Sequence, residues 1–87
     1  MVKIVKVKSE SNVNAVAGSL LNILKNQNSI DVQTVGAGSL NQAIKALIIL
    51  RGYLAPLGVD VEMIPTFQEV NINGNIKTAI RMKIKKK

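Results

Sequence analysis

The pair Asn73-Gly74, followed by a strictly alternating run from Asn75 to Lys85, constrains this chain more than any other stretch. A type I′ hairpin loop needs positive φ at both central residues, and Asn-Gly reaches that conformation at least cost. After the turn, Ile76, Thr78, Ile80, Met82 and Ile84 fall on one alternation, and Lys77, Ala79, Arg81, Lys83 and Lys85 on the other. That is the period of a strand with one apolar and one cationic face. The C-terminal third therefore folds as an antiparallel hairpin.

The period upstream is different. VKIVKVK, residues 2–8, is β-branched on both alternations, as in a strand covered on more than one side. Between Ser11 and Asn28 the residues Val13, Val16, Ala17, Leu20, Leu21 and Leu24 form one helical stripe, with Ser9, Ser11 and Asn12 as candidate N-caps. A second strand is expected from Ile30 to Val35, then a glycine turn and a helix from Ser39 to Leu54, stopped by Pro56 and Gly58. From Val59 a third strand begins with Val61, Met63 and Phe67 in one phase, whereas Val70 and Ile72 are in the other. The change predicts a bulge or bend between Pro65 and Glu69. The order is βαβαββ, an α/β (α+β) two-layer fold. Right-handed crossovers place both helices on one face of a four-stranded mixed sheet, in a single domain spanning 1–87.

A chain of 87 residues buries only roughly 60–65% of its unfolded surface, so a deep enclosed pocket is not expected. With Tyr53 and Phe67 as its only aromatics, the core must be aliphatic. The second helix has more apolar surface than one sheet face can hide: apart from Asn41, Gln42, Lys45 and Gly52 it is apolar most of the way round. Such a helix needs cover on two sides. We therefore expect a homodimer, with Ala46, Ile49, Leu50 and Tyr53 at the contact.

The chemistry open to the chain is narrow. It has no cysteine and no histidine, and its five carboxylates, Glu10, Asp31, Asp60, Glu62 and Glu69, are scattered. The commonest metal ligands and the usual acid/base near neutral pH are thus missing. We expect no enzyme, no metal, no cofactor and no small-molecule substrate. The longest apolar run, Ala46–Leu50, is far shorter than the ~20 residues of a spanning helix, and MVKIVKVKSE lacks the apolar block of a signal peptide. A cytoplasmic location without membrane contact is the expectation. A formal net charge of +7 points to a polyanionic partner.

The turn VGAGSLNQAIK, residues 35–45, is the one place where a phosphate site suggests itself. A dinucleotide fingerprint would follow the first strand, have glycine in place of Asn41, and be answered by an acid on the same edge; Asp60 instead begins its strand on the opposite edge. A Gly-Lys-Ser/Thr ending is also absent. What remains is a helix N-terminus with Gly36 and Gly38 before it, able to hold a backbone phosphate or simply to make a tight βα turn.

The run VGAGSLNQAIKALIILRGYLAPLGVDVEMIPTF, preceded by SNVNAVAGSL, resembles the bacterial stage V sporulation protein S family over nearly the whole chain. GAGSLNQAIKA is the most specific part of the match. That family is similar in fold to Alba, the archaeal dimeric chromatin protein. The resemblance implies nucleic-acid binding, with a βα loop and the C-terminal hairpin arm on the duplex and the second helix in dimer packing. The match is partial at the expected contacts: Ser9–Asn12 lacks the lysines of Alba, and Gly36 and Gly38 stand where Alba has arginines. The remaining candidates for nucleic acid are Lys77, Arg81, Lys83 and Lys85, with Lys86 and Lys87 beyond them, supplemented by Lys6, Lys8 and Lys45 and by Asn41 and Gln42 at the start of the second helix. Successive outward side chains on a strand lie ~6.8 Å apart, close enough to meet several phosphates. Lysines on exposed strands also act simply against edge-to-edge aggregation. Two classes stay open at this point: a nucleic-acid-binding regulator of sporulation or development, and an interaction module for acidic proteins.

Overall fold

A computed structural model describes residues 3–87. The elements are β1 Ile4–Lys6, α1 Val13–Leu24, β2 Ser29–Thr34, α2 Ala37–Leu54, a 3₁₀ turn Ala55–Leu57, β3 Val61–Ile72 and β4 Asn75–Lys86. They form one sheet in the order β1-β2-β4-β3, with β1 parallel to β2 and the other pairs antiparallel. The βαβαββ two-layer fold is thus the one read from the sequence. Val2, where the first strand was expected to begin, lies outside the described residues.

Local chemistry sets the boundaries. Asn12 caps α1, its Oδ1 accepting from the Ala15 N–H at 3.0 Å. The stripe expected on this helix buries Ala17, Leu20 and Leu24. Helix α2 starts two residues earlier than the sequence suggested. Gly36 is its N-cap, and the Ser39 hydroxyl folds back to donate to the Val35 and Gly36 carbonyls at 2.7 and 3.0 Å. At the other end Gly58 takes φ +70, the left-handed value that ends a helix.

The core is aliphatic. Leu20 and Leu24 from α1 and Leu50 from α2 pack on Ile30 and Val32 of β2 and on Met82 and Ile84 of β4. Register explains the alignment: Ile30 lies opposite Ile84, and Val32 opposite Met82. Cross-strand partners share a face, so this alternation is the helix-covered side and the other is open.

The hairpin turn is of the expected kind, with φ +52 at Asn73 and +82 at Gly74. The Asn71 Oδ1 accepts from the Gly74 N–H at 2.9 Å and braces it. Of the bulge or bend expected between Pro65 and Glu69, the bulge is absent. Pairing of β3 with β4 runs unbroken from Val61 opposite Lys86 to Ile72 opposite Asn75. The phase of the apolar residues changes for another reason: the hairpin extends past the rest of the sheet and curls. Near its base the odd residues of β3 face the helix layer. Near its tip Val70 and Ile72 border a cleft with Lys8 and Val35 on the far side, and Ala79 is fully buried.

An exposed ion pair ties α2 to β3. Arg51 Nε lies 3.0 Å from Asp60 Oδ1, and Lys87 Nζ is 4.0 Å from Asp60 Oδ2. Hydrogen bonds from Arg51 and from the Val61 N–H hold the Asp60 carboxyl below the usual carboxylate range. The stabilisation is present above the ordinary pKa of ~3.9 and fades as pH falls through the depressed value. We expect Asp60→Asn to lower the urea midpoint slightly at pH 7 and to match the parent chain near pH 2. An undiminished difference at pH 2 would assign the effect to something other than charge.

Candidate nucleic-acid interface

The open face of the sheet carries the basic ladder. Lys77, Arg81, Lys83 and Lys85 share one alternation of β4, and Lys6 joins them because it pairs with Gln33, which in turn pairs with Arg81. On the same face Asp31 lies opposite Lys83, and Glu62 opposite Lys85. Five cations therefore face two carboxylates. Among the described residues, the ion pairs within 4.0 Å all involve Asp60, so neither Asp31 nor Glu62 is locked to its opposite lysine. Asp31 Oδ1 is buried with no hydrogen-bond partner among the described residues.

Arg81 differs from the lysines. It is half-buried, and its guanidinium donates to Gln33 Oε1 through Nη2 at 2.6 Å and Nε at 3.2 Å. The sequence treats it as one more rung; the structure makes it a positioned group that braces β4 against β2. Lys77, Lys83 and Lys85 are exposed. Gln33 is apolar in neither period nor type, and nothing in the pattern marks it as the partner.

The candidates on α2 do not belong to this ladder. Lys45 and Asn41 are exposed on the helix layer, across the sheet from Lys83 and Lys85. The Gln42 Nε2 donates to the Ser11 carbonyl at 2.9 Å and pins the loop after β1 to α2. Gly36 and Gly38 have separate jobs. Gly36 sits at φ +88, ψ +163, a region essentially closed to side chains. Gly38 is helical and needs smallness: a Cβ there would lie 3.1 Å from Ser9 Cβ. Gly36 makes the turn, and Gly38 lets the β1–α1 loop lie close against the start of α2. We expect Gly36→Ala to destabilise the fold by about 1–3 kcal/mol, a fall in Tm on the order of 10 °C. An unchanged melting curve would show that the turn adopts another conformation without cost.

The expected dimer contact also changes. Ala46 and Leu50 are 0% exposed within the single chain, so they belong to its own core and have no surface left for a partner. Ile49 is half-buried, and Tyr53 is exposed on the flank of α2 that Gln42 turns toward the start of α1. The uncovered apolar surface lies elsewhere. Ile48, 65% exposed, borders with Ile44 and Met63 a groove of about 390 Å³ between α2 and β3, and Phe67, 82% exposed, lies further along β3 beside Pro65 and Ile80. Two helices cover β1, β2 and β4 but leave edge strand β3 bare. Among the described residues no helix is long and apolar enough to cross a membrane.

A family model described as stage V sporulation protein S matches residues 3–87. Among solved structures, Alba from Thermoplasma volcanium is similar, with a TM-score of 0.65 at 14% identity, over 97% of this chain and 98% of that one. At that identity the likeness establishes the Alba-like fold and nothing further.

Proposed function

Since the chain belongs to the stage V sporulation protein S family, with the sporulation-related role this carries, we propose that it is a small basic nucleic-acid-binding protein, a non-catalytic regulator that works in the cytoplasm as a homodimer. The observation that carries this reading is the open sheet face, where Lys6, Lys77, Arg81, Lys83 and Lys85 outnumber Asp31 and Glu62. Lysines at alternate positions of one rigid strand present point charges at a spacing a phosphate backbone can meet, and such contacts position a protein on a duplex without reading its sequence.

The homodimer would use the groove of Ile44, Ile48 and Met63, together with Phe67 exposed further along β3, rather than Ala46 and Leu50. A second copy is the occupant this surface suits, because a contiguous apolar face on a monomer is itself a liability. Joining two copies also doubles the number of basic faces on one particle.

Purified protein titrated against duplex DNA, single strands and an acidic polypeptide across a salt series tests the proposal. Nucleic-acid binding with log K falling linearly in log salt, by roughly 0.9 for each phosphate contacted on a duplex, supports it. Affinity for the acidic polypeptide alone would replace it with the interaction-module reading.

A further inference from the structure

The start of α2, the loop after β1 and the outer part of the hairpin border a cleft of about 550 Å³ that Lys77, Lys83 and Lys85 do not line. The hairpin side is apolar, formed by Val70 and Ile72, and the far side carries Lys6, Lys8 and Gln33 together with Val35. Gln33 is only 8% exposed. Arg81 is a donor only, so its two bonds to Gln33 Oε1 fix which way the amide is turned and leave the NH₂ group on the other side. Among the described residues that Nε2 donates to nothing, and it keeps contact with solvent, so an acceptor entering the cleft can reach it.

A second group of donors borders the same cleft. Gly38 and Ser39 line it, and they lie in the first turn of α2, where backbone N–H groups have no partner within the helix. Glu10 is the one carboxylate on the lining, its Oε2 accepting from the Ser9 hydroxyl at 3.0 Å. Donors and cations thus gather around an apolar wall, in a space larger than a lone phosphate needs. The cleft is also continuous with the basic face, because Gln33 on its wall is the residue that Arg81 holds.

We propose that the cleft takes one unpaired nucleotide of a nucleic-acid strand, with its phosphate at the first turn of α2 beside Lys8, its base against Val35, Val70 and Ile72, and Gln33 Nε2 donating to an acceptor on the base edge. This rests on the nucleic-acid reading above and adds to it a preference for strand ends, gaps or bulges over continuous duplex.

The test is fluorescence anisotropy at one fixed salt concentration, with a blunt duplex and with the same duplex bearing a single unpaired nucleotide. The parent chain should bind the tailed duplex roughly tenfold more tightly, the equivalent of about 1.4 kcal/mol. Gln33→Glu keeps an acceptor for Arg81 but removes the NH₂ donor, and Ile72→Trp fills the cleft from its rim; in each the ratio of tailed to blunt affinity should fall to about one. Circular dichroism melting establishes that both variants are folded. A parent ratio of one with intact duplex binding overturns the cleft proposal and leaves the basic face standing. A tenfold ratio that survives both substitutions also overturns it. Absence of binding to any nucleic acid at low salt sinks both readings together.

Discussion

Changing Lys77, Lys83 and Lys85 together to Gln is expected to weaken duplex binding by several hundredfold at ~0.1 M salt while leaving the melting temperature nearly unchanged. The estimate follows from counterion release: a slope of roughly 0.9 per contact makes each phosphate contact worth about eightfold between 1 M and 0.1 M salt. Three contacts multiply, and the salt slope should lose about 2.7. All three side chains are exposed, so no cavity and no unpaired buried group results. Gln is chosen over Glu because Asp31 already lies opposite Lys83 and Glu62 opposite Lys85. Arg81 is left in place because removing it would orphan Gln33. The loss should be alike on duplexes of unrelated sequence. Undiminished affinity and slope in a folded variant would reduce the ladder to a solvated face.

Leu50→Ala should destabilise the fold by about 2–5 kcal/mol, whereas Ile48→Glu combined with Phe67→Glu should leave it folded and separate the two copies. Leu50 is fully buried between the helices and the sheet, so truncation opens a cavity. Ile48 and Phe67 face solvent in the single chain, and charges there penalise only an apolar contact with another chain. Urea unfolding reads the first effect and light scattering the second. If Leu50→Ala retained full stability but lost the dimer, the assignment of Leu50 to the core would be wrong. A dimer that survives the paired glutamates would move the contact away from the groove.

That contrast marks where the sequence stops being informative. Element order, the Asn12 cap, the α1 stripe and the Asn73-Gly74 turn are legible because each is written in residues a few positions apart. Helix α2 is apolar over most of its circumference, so its pattern cannot say which arc meets the sheet; Ala46 and Leu50 read as surplus surface, and nothing singles out Ile48. In β3 the switch from Met63 and Phe67 to Val70 and Ile72 has two physical solutions, a bulge or a curled hairpin that uses both faces, and alternation alone does not choose between them. The site is less legible still. Gln33 and Arg81 are 48 positions apart, and Gly38 and Ser9 meet only after β1 and β2 have paired. A tight glycine turn announces its backbone, not what packs on it.

The sheet is built from pairings of unequal reach along the chain. The strands β3 and β4 are joined by two residues and can zip locally within microseconds, while β1 must wait for a loop closed through α1 before its three residues find β2. Once docked, β1 is bonded along one edge only, so it is the segment expected to open first in hydrogen exchange, with the amides of β4 among the last. Lys6, Lys8 and the near wall of the cleft travel with β1. The molecule can therefore lose and regain that wall through a brief local opening while the hairpin stays formed, so entry to the cleft would be timed by the fraying of its shortest strand.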